Sequence, residues 1–212
     1  ILSRLIHGSR VSLLVGLLGV LVSGSFGVLL GLLAGYFGGW VDVLVMRLVD
    51  TLLAFPFMLL AIAVAAVLGP GLRNVVIILG ISQWMAYARI TRGQVLSLKE
   101  AIFVLAARSI GVSGRRILLR HILPNSVQPV IVIATFAMAN NIILEASLTF
   151  LGVGVKTSVT TWGSMLSEGR NYVGVAWWLT TFPGVAIMLV VLSVNMLGDW
   201  IRERTDPRLR GA

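Results

Sequence analysis

The sequence predicts an all-α fold, a polytopic bundle of membrane-spanning helices that forms a single domain over residues 1–212. The chain is 58% hydrophobic, its mean hydropathy is +0.98, and only 12% of its residues are charged. A soluble domain carries about 25% charged residues. Long uncharged runs, such as residues 11–36 here, are typical of helices that cross about 30 Å of hydrocarbon.

Five spans are expected from the apolar runs and the breaks between them, at about residues 11–36, 51–68, 74–96, 124–151 and 180–199. A turn is expected at 37–50, where Arg47 and Asp50 stand three residues apart and are placed to pair if the segment is helical. Pro56 predicts a kink or a fresh helix start at the beginning of the second span.

Small residues recur at every fourth position of the first span, at Gly19, Ser23, Gly27, Gly31 and Gly35. This spacing forms a shallow groove along one helical face, and such a groove lets the backbone of another helix approach closely. The alternative is that these glycines are only tolerated in a membrane segment. The sequence does not identify the partner helix.

The longest polar segment, residues 92–125, carries seven charged residues, six of them basic. It predicts two short helices, at 97–110 and 114–122, with Gly111 at the end of the first and Ser113 as the cap of the second. Pro124 is expected in the first turn of the following span. The predicted hairpin, residues 97–122, either lies on the membrane and binds a partner or is a basic loop.

The distribution of basic residues predicts the orientation. Placing the predicted hairpin in the cytoplasm puts 12 of the 17 Lys and Arg residues on that side, as the positive-inside rule expects. With five spans, the N-terminus of the sequence lies outside and the charged tail from Asp199 lies in the cytoplasm. The external connection, residues 152–178, is long enough to contain a short helix from Trp162 to Glu168.

Polar residues in the fourth span indicate a translocation path. Gln128, Asn141 and Glu145 are expected, with Thr135 and Thr149, on one helical face. An ionisable group within a membrane span points by default at a pathway or at a partner. The alternative is that Glu145 lies at the outer interface and pairs locally.

Several kinds of chemistry are not indicated. The sequence has no G-x-x-x-x-G-K-[ST] motif and no metal-spaced cluster, and His7 and His121 lie at the predicted membrane edges. The absence of cysteine excludes disulfides, iron–sulfur clusters and zinc thiolate sites. The sequence has no basic face interleaved with aromatic residues, so nucleic-acid binding is not indicated. The chain is therefore not expected to be an enzyme or to bind a cofactor, a metal or a nucleic acid.

Short motifs in several parts of the chain resemble one family. They are Gly35-Tyr36-Phe37-Gly38-Gly39, Ala106-Ala107-x-x-x-Gly111, His121-Ile122-Leu123-Pro124-Asn125, Glu145 to Gly152 and Trp162-Gly163-Ser164-Met165-Leu166. In this order they resemble the permease subunits of binding-protein-dependent ABC importers, in the dipeptide, oligopeptide and nickel subfamily. One departure is Leu105, which stands where the family has glutamate.

The resemblance implies a type I importer permease in the plasma membrane, with one further helix upstream of this sequence. It implies a second homologous permease that forms a heterodimer with this chain, an extracytoplasmic solute-binding protein and ATPase subunits that hold the ATP. The ATPase is expected to contact Leu105, Ala106, Ala107, Arg108, Ser109 and Gly111, three of them small so that a helix seats in a cleft. The implied cargo is a di- or oligopeptide, with nickel as the alternative. A scaffold or passive channel is the alternative function.

Overall fold

The computed structural model describes residues 1–156 and 158–205, and within these ranges the chain is helical apart from short connections. The helices are α1 (Leu2–Phe37), α2 (Gly39–Leu53), α3 (Phe57–Leu68), α4 (Leu72–Lys99), α5 (Ile102–Ser109), α6 (Gly114–Ile117), α7 (Leu123–Phe150), α8 (Trp162–Gly169) and α9 (Trp178–Thr205). A π-helical turn, Leu118–Ile122, joins α6 to α7, and a 3-10 turn, Arg170–Tyr172, follows α8.

The most extensive helix pairing is that of α1 with α4, and α7 packs against both α1 and α9. The five small residues of α1 are all buried. A Cβ added at Gly27 would lie 2.3 Å from the Trp84 carbonyl oxygen, and one at Gly31 would lie 2.5 Å from the Ala88 carbonyl oxygen. The backbones of α1 and α4 therefore touch, and α4 is the partner helix that the sequence could not identify.

Length and composition single out three described helical stretches that could cross a membrane, namely Leu2–Phe37, Gly114–Phe150 and Trp178–Arg204. A fourth crossing results if α2 and α3, which meet at 93°, form one broken span. The predicted third span corresponds to α4, which is long enough at 28 residues but is not among them. Gln83 and Arg89 lower its hydropathy, and its contact with α1 buries much of one face.

The segment around the second predicted span differs from expectation. The expected turn at 37–50 is helix α2, because the positive φ values are confined to Gly38 (65°) and Gly39 (55°), and the helix resumes at once after α1. The chain does break at Pro56, so residues 51–68 are divided between two helices. Helix α3 has 12 residues and is about 18 Å long, which is too short to cross the hydrocarbon alone.

The predicted pair of Arg47 with Asp50 is wrong. Asp50 instead accepts a hydrogen bond from Arg89 of α4. Asp42 accepts from Arg92 of the same helix, with 2.7 Å between Oδ2 and Nη2. These side chains point at α4 because Val49 of α2 is buried against it, so the two ion pairs hold α2 on α4.

The polar segment is also organised differently in detail. Helix α4 continues to Lys99, and α5 covers only Ile102–Ser109 of the expected helix at 97–110. Pro124 lies in the first turn of α7, as expected, but the helical run is continuous from Gly114 to Phe150 instead of starting there. The π-helical turn just before it, in which the Leu123 N–H donates to the Leu118 carbonyl, changes the local hydrogen-bond spacing where the proline lacks a donor.

The external connection contains α8, which agrees with the expected short helix and is one residue longer. Helix α9 begins at Trp178 and continues through Asp199 to Thr205, so the first part of the expected charged tail is helical. Residues 206–212, the rest of that tail, lie outside the described residues.

Candidate functional site

Helix α5 ends in a backbone motif that requires Gly111. The Val112 N–H donates to the Ala107 carbonyl at 3.0 Å, and the Gly111 N–H donates to the Arg108 carbonyl at 2.9 Å. This pair of bonds is a Schellman motif, in which the residue after the cap takes a left-handed conformation. Gly111 has φ +80° and nothing lies within 4 Å of an added Cβ. Glycine is therefore needed here for its backbone freedom, and not for lack of space.

The α5–α6 hairpin (residues 102–117) is held on the body of the molecule by an apolar cluster. Val104 and Ala107 of α5 are buried against side chains from α1, α4 and the segment before α7, namely Leu32, Val95, Ile117 and Ile122. Ala107 is 7% exposed. Its small side chain therefore packs against its own chain, which corrects the expectation that it is small in order to seat in a partner.

The remaining predicted interface residues face away from the molecule. Leu105 is 48% exposed, and Ala106, Arg108, Ser109 and Gly111 are exposed beside it. Two isoleucines extend this face although sequence reasoning missed them, since Ile102 and Ile110 are 86% and 82% exposed. The signal that could have found them is their apolar character within a polar segment. Exposed apolar groups gathered in one place are typical of a protein interface.

The base of the hairpin is attached to the C-terminal end of α1. The Lys99 ammonium donates to the carbonyl oxygens of Gly35 and Tyr36, at 3.2 and 2.9 Å. A positive charge at this place satisfies carbonyls that the helix leaves free and complements the helix dipole. Gly114 lies against Tyr36, because an added Cβ would be 2.5 Å from its hydroxyl oxygen. A movement of the hairpin therefore acts directly on α1.

A second polar site lies at the other end of the continuous helix Gly114–Phe150, about 45 Å from the hairpin along its axis. Glu145 is completely buried there. Its Oε2 accepts from the Ser12 hydroxyl at 3.2 Å and its Oε1 accepts from the Thr149 hydroxyl at 3.0 Å. The Trp162 N–H donates to Ser12 Oγ at 3.2 Å, and the Val155 N–H donates to Thr149 Oγ1 at 3.1 Å.

We name these five groups the Glu145 junction: the side chains of Ser12, Glu145 and Thr149 and the backbone N–H groups of Val155 and Trp162. The junction brings together α1, α7, the loop after α7 and the first residue of α8. Each hydroxyl accepts a backbone N–H, so its own proton is directed at the carboxyl group. The carboxyl group thus accepts from the two hydroxyl groups that hold Val155 in the loop after α7 and Trp162 at the start of α8.

The expected path residues do not share one face. Gln128 is exposed, whereas Asn141 is buried and donates from Nδ2 to the Gly16 carbonyl at 3.2 Å. Glu145 lies on the buried side with Asn141. The two three-residue steps from Thr135 to Asn141 each fall about 60° short of a full turn, so the stripe rotates around the helix. The expectation of a single polar face is therefore wrong.

Two glycines near the junction were not recognised from the sequence as packing residues. A Cβ at Gly163 would lie 2.7 Å from the Ala146 Cα, and one at Gly154 would lie 2.3 Å from Thr149 Oγ1. Helix α8 therefore contacts the backbone of α7. Its start is fixed by a capping box, in which Thr161 and Ser164 exchange side-chain and backbone hydrogen bonds of 2.9 and 3.0 Å. The three-residue spacing of Thr161 and Ser164 was the sequence signal that could have identified this helix start.

A groove opens beside the junction, with a cavity volume of about 430 Å³. Its lining is partly polar and includes Thr149, Lys156, Ser164 and Glu168. Such a lining offers a cation, a carboxylate and hydroxyl groups to a small polar molecule. Among the residues that the structure describes, no group of three or more His, Asp or Glu side chains is placed to hold a metal ion.

Comparison with known proteins gives one family. Residues 27–211 match the family described as "Binding-protein-dependent transport system inner membrane component". The dipeptide transport system permease protein DppC of Alkalihalophilus pseudofirmus is 45% identical over 99% of this chain and 69% of its own length. The di/tripeptide permease DppC of Pseudomonas aeruginosa is 45% identical over 100% and 70%, and the glutathione permease GsiD of Pectobacterium atrosepticum is 45% identical over 99% and 70%.

Solved structures of lower identity share the fold. The MetNI methionine ABC transporter in an inward-facing conformation has a chain that matches with a TM-score of 0.74 at 18% identity, over 96% of this chain and 97% of that one. An amino acid ABC transporter crystallised with histidines matches with a TM-score of 0.71 at 14% identity, over 95% and 94%. The expected type I importer fold is confirmed.

Proposed function

Since the chain belongs to the family of inner-membrane components of binding-protein-dependent transport systems, we propose that it carries short peptides through the membrane in an ATP-driven importer. It is the permease subunit of such an importer, an all-helical membrane protein of the type I fold. Membership in this family gives no support to the alternative of a scaffold or passive channel.

The cargo class follows from the relatives. Their names give dipeptides, di- and tripeptides and glutathione as what they transport. Short peptides are therefore the cargo we propose, ahead of nickel, which none of these names mentions. The groove beside the Glu145 junction supports a cargo of this kind, because Lys156 and Glu168, the latter paired with Arg4 at 2.7 Å, place charges of both signs at its lining. A short peptide carries a carboxylate and an ammonium group.

The ATPase binds the exposed face of the α5–α6 hairpin. The observation that carries this assignment is the division of α5 between two faces, with Val104 and Ala107 buried in the molecule and Leu105, Ala106 and Arg108 exposed. A hairpin fixed on the core transmits force, whereas a free loop would not. Because Leu105 replaces the glutamate of the family, its contact with the ATPase is apolar rather than ionic.

The proposed complex contains two further kinds of partner. A second homologous permease pairs with this chain, and a solute-binding protein meets the end that carries α8. The N-terminus of the sequence lies outside and the C-terminus lies in the cytoplasm, as the distribution of basic residues favours. ATP is bound and hydrolysed by the partner subunits, and this chain takes no catalytic part.

The proposal is tested by adding bulk to the exposed hairpin face in Ala106→Trp. The side chain of Ala106 points away from the core, so the bundle is expected to fold, while the contact with the ATPase is disturbed. We expect at least a tenfold loss of ATP-driven peptide uptake in reconstituted vesicles, and weaker co-purification of the ATPase. Truncating or crowding a central contact typically costs about 2 kcal/mol or more.

The matched control is Gly174→Trp, which adds the same side chain in open space in the loop before α9. This variant is expected to retain the ATPase. Equal retention of the ATPase by both variants, with normal uptake, would contradict the docking assignment. Absence of ATP-driven peptide uptake by the unaltered complex would contradict the transport proposal itself.

A further inference from the structure

The Glu145 carboxylate has no part in the function proposed so far, although burial of an ionisable side chain in a membrane protein is costly. Both of its oxygens accept hydrogen bonds from hydroxyl groups, as described above. The carboxyl group is not exposed in the groove that Thr149 lines, because the Glu145 side chain is completely buried. The group therefore acts on the protein's own segments.

These segments are linked to the α5–α6 hairpin by one continuous helical run. The helical run from Gly114 to Phe150 begins inside the α5–α6 hairpin and reaches Glu145 without a break. At Glu145 it is joined to α1 through Ser12 and, one hydrogen bond further, to the first residue of α8. The Thr149 hydroxyl joins the same carboxylate to the loop at Val155.

We propose that Glu145 is a positioning residue of the transport cycle, whose carboxylate fastens α8 and the adjoining loop to α1 and α7. A displacement of the hairpin by the ATPase then moves the external segment together with the membrane helices. This inference rests on the proposed transport function, since without a motor no displacement reaches the junction. The close backbone contact of Gly163 with Ala146 keeps α8 near α7. On the α1 side, the junction adds to two direct contacts of α8, the Trp162 Nε1–H that donates to the Leu5 carbonyl at 3.1 Å and the Arg4–Glu168 ion pair at 2.7 Å.

The perturbation is Glu145→Leu, which keeps a large side chain but removes the acceptor. The hydroxyl groups of Ser12 and Thr149 then lose their buried partner. Leaving one buried donor unsatisfied costs about 1–3 kcal/mol, and the lower part of this range, about 1.4 kcal/mol, corresponds to a tenfold change in an equilibrium. We expect α8 to detach from α1 about ten times more often than in the unaltered protein.

Detachment is measured by thiol labelling. The chain has no cysteine, so Met165→Cys introduces a single thiol on the buried side of α8. In the purified complex with its partner subunits, the maleimide labelling rate of this thiol is compared with and without Glu145→Leu. Ser158→Cys, at an exposed position, gives the rate of a fully accessible thiol. We expect about tenfold faster labelling at position 165 when Glu145 is replaced.

Transport measurements separate a positioning role from other roles. In Glu145→Leu we expect the maximum uptake rate to fall about tenfold while the half-saturating peptide concentration and the ATP hydrolysis rate change less than about twofold. Glu145→Gln keeps one carbonyl acceptor and is expected to restore part of the uptake. A raised half-saturating concentration with unchanged labelling would identify Glu145 as a cargo ligand and overturn the proposal.

Milder variants serve if Glu145→Leu does not assemble. Ser12→Ala removes the link between the carboxylate and the Trp162 N–H, and Ser147→Ala is its matched control, because the Ser147 hydroxyl donates to the Ile143 carbonyl of its own helix. Faster labelling at position 165 in Ser12→Ala alone supports the proposal. Equal labelling in the two serine variants overturns it. This labelling does not depend on peptide uptake, so its outcome is distinguishable from a failure of the transport function.

Discussion

The contact between α1 and α4 gives a sharp prediction for Gly27→Ala. An added Cβ at this position would lie 2.3 Å from the Trp84 carbonyl oxygen and 2.6 Å from the Tyr87 Cβ. Carbon atoms in favourable contact are about 3.5–4.0 Å from their neighbours. The nearest atom belongs to the backbone of α4 and cannot rotate away, so the two helices must separate locally by about 1 Å.

The magnitude follows from two opposing effects. Overpacking a well-filled interface costs about 1–3 kcal/mol, and contact with backbone favours the upper part of this range. Replacing glycine by alanine within a helix contributes about 0.5–1 kcal/mol in the opposite direction. We therefore expect Gly27→Ala to lower the free energy of unfolding by roughly 1–2 kcal/mol.

The matched control is Gly24→Ala on the same helix. Gly24 is also buried, but its added Cβ would lie 3.6 Å from the nearest atom, a ring carbon of Tyr87, which is an ordinary contact. Only the gain in helix propensity remains, so this variant is expected to be at least as stable as the unaltered protein. Thermal unfolding in detergent, followed by circular dichroism, compares the two. A Gly27→Ala melting temperature equal to that of Gly24→Ala would refute the close backbone contact.

Two further predictions concern the ion pairs between α2 and α4 and the glycine that ends α5. Asp42→Asn is expected to destabilise the protein by about 1–3 kcal/mol in chemical unfolding, because the Arg92 guanidinium that loses its carboxylate partner is partly buried. Asp50→Asn breaks an exposed pair and is expected to cost less than about 1 kcal/mol. Gly111→Ala is expected to cost about 1 kcal/mol, because alanine must adopt a φ of +80°, and to increase limited proteolysis within the α5–α6 hairpin. Its control is Gly93→Ala, whose added Cβ also meets open space but lies within α4, and which is expected to leave cleavage unchanged.

Much of the fold could be predicted because it follows from local pattern. The helix break at Pro56 and the small-residue groove of α1 are encoded within a few neighbouring residues. Helix α2 was missed because Gly38 and Gly39 suggest a turn, whereas only these two residues take a positive φ and the helix resumes immediately. The unbroken run through Pro124 was missed because a π-helical turn before a proline has no clear sequence signature.

Side-chain partners depend on contacts between distant segments, and the sequence alone does not contain them. Asp50 pairs with Arg89, 39 residues away, rather than with its neighbour Arg47. Ala107 and Ala106 look equivalent in the motif, yet one packs on the core and the other faces outward. The orientation of α5 on the cluster around Val95 decides between them, and that orientation is a tertiary property.

The two possible roles of Glu145 also depend on contacts between distant segments. In the sequence, a carboxylate near the end of a span is compatible with a path and with a local pair. The structure places Ser12, which lies 133 residues away, beside Glu145, because Gly16 and Gly19 let α1 come close to α7. A groove of small residues thus does more than pack helices. It brings a hydroxyl from α1 to a carboxylate on α7, and so joins the helix that contacts the hairpin to the first residue of α8.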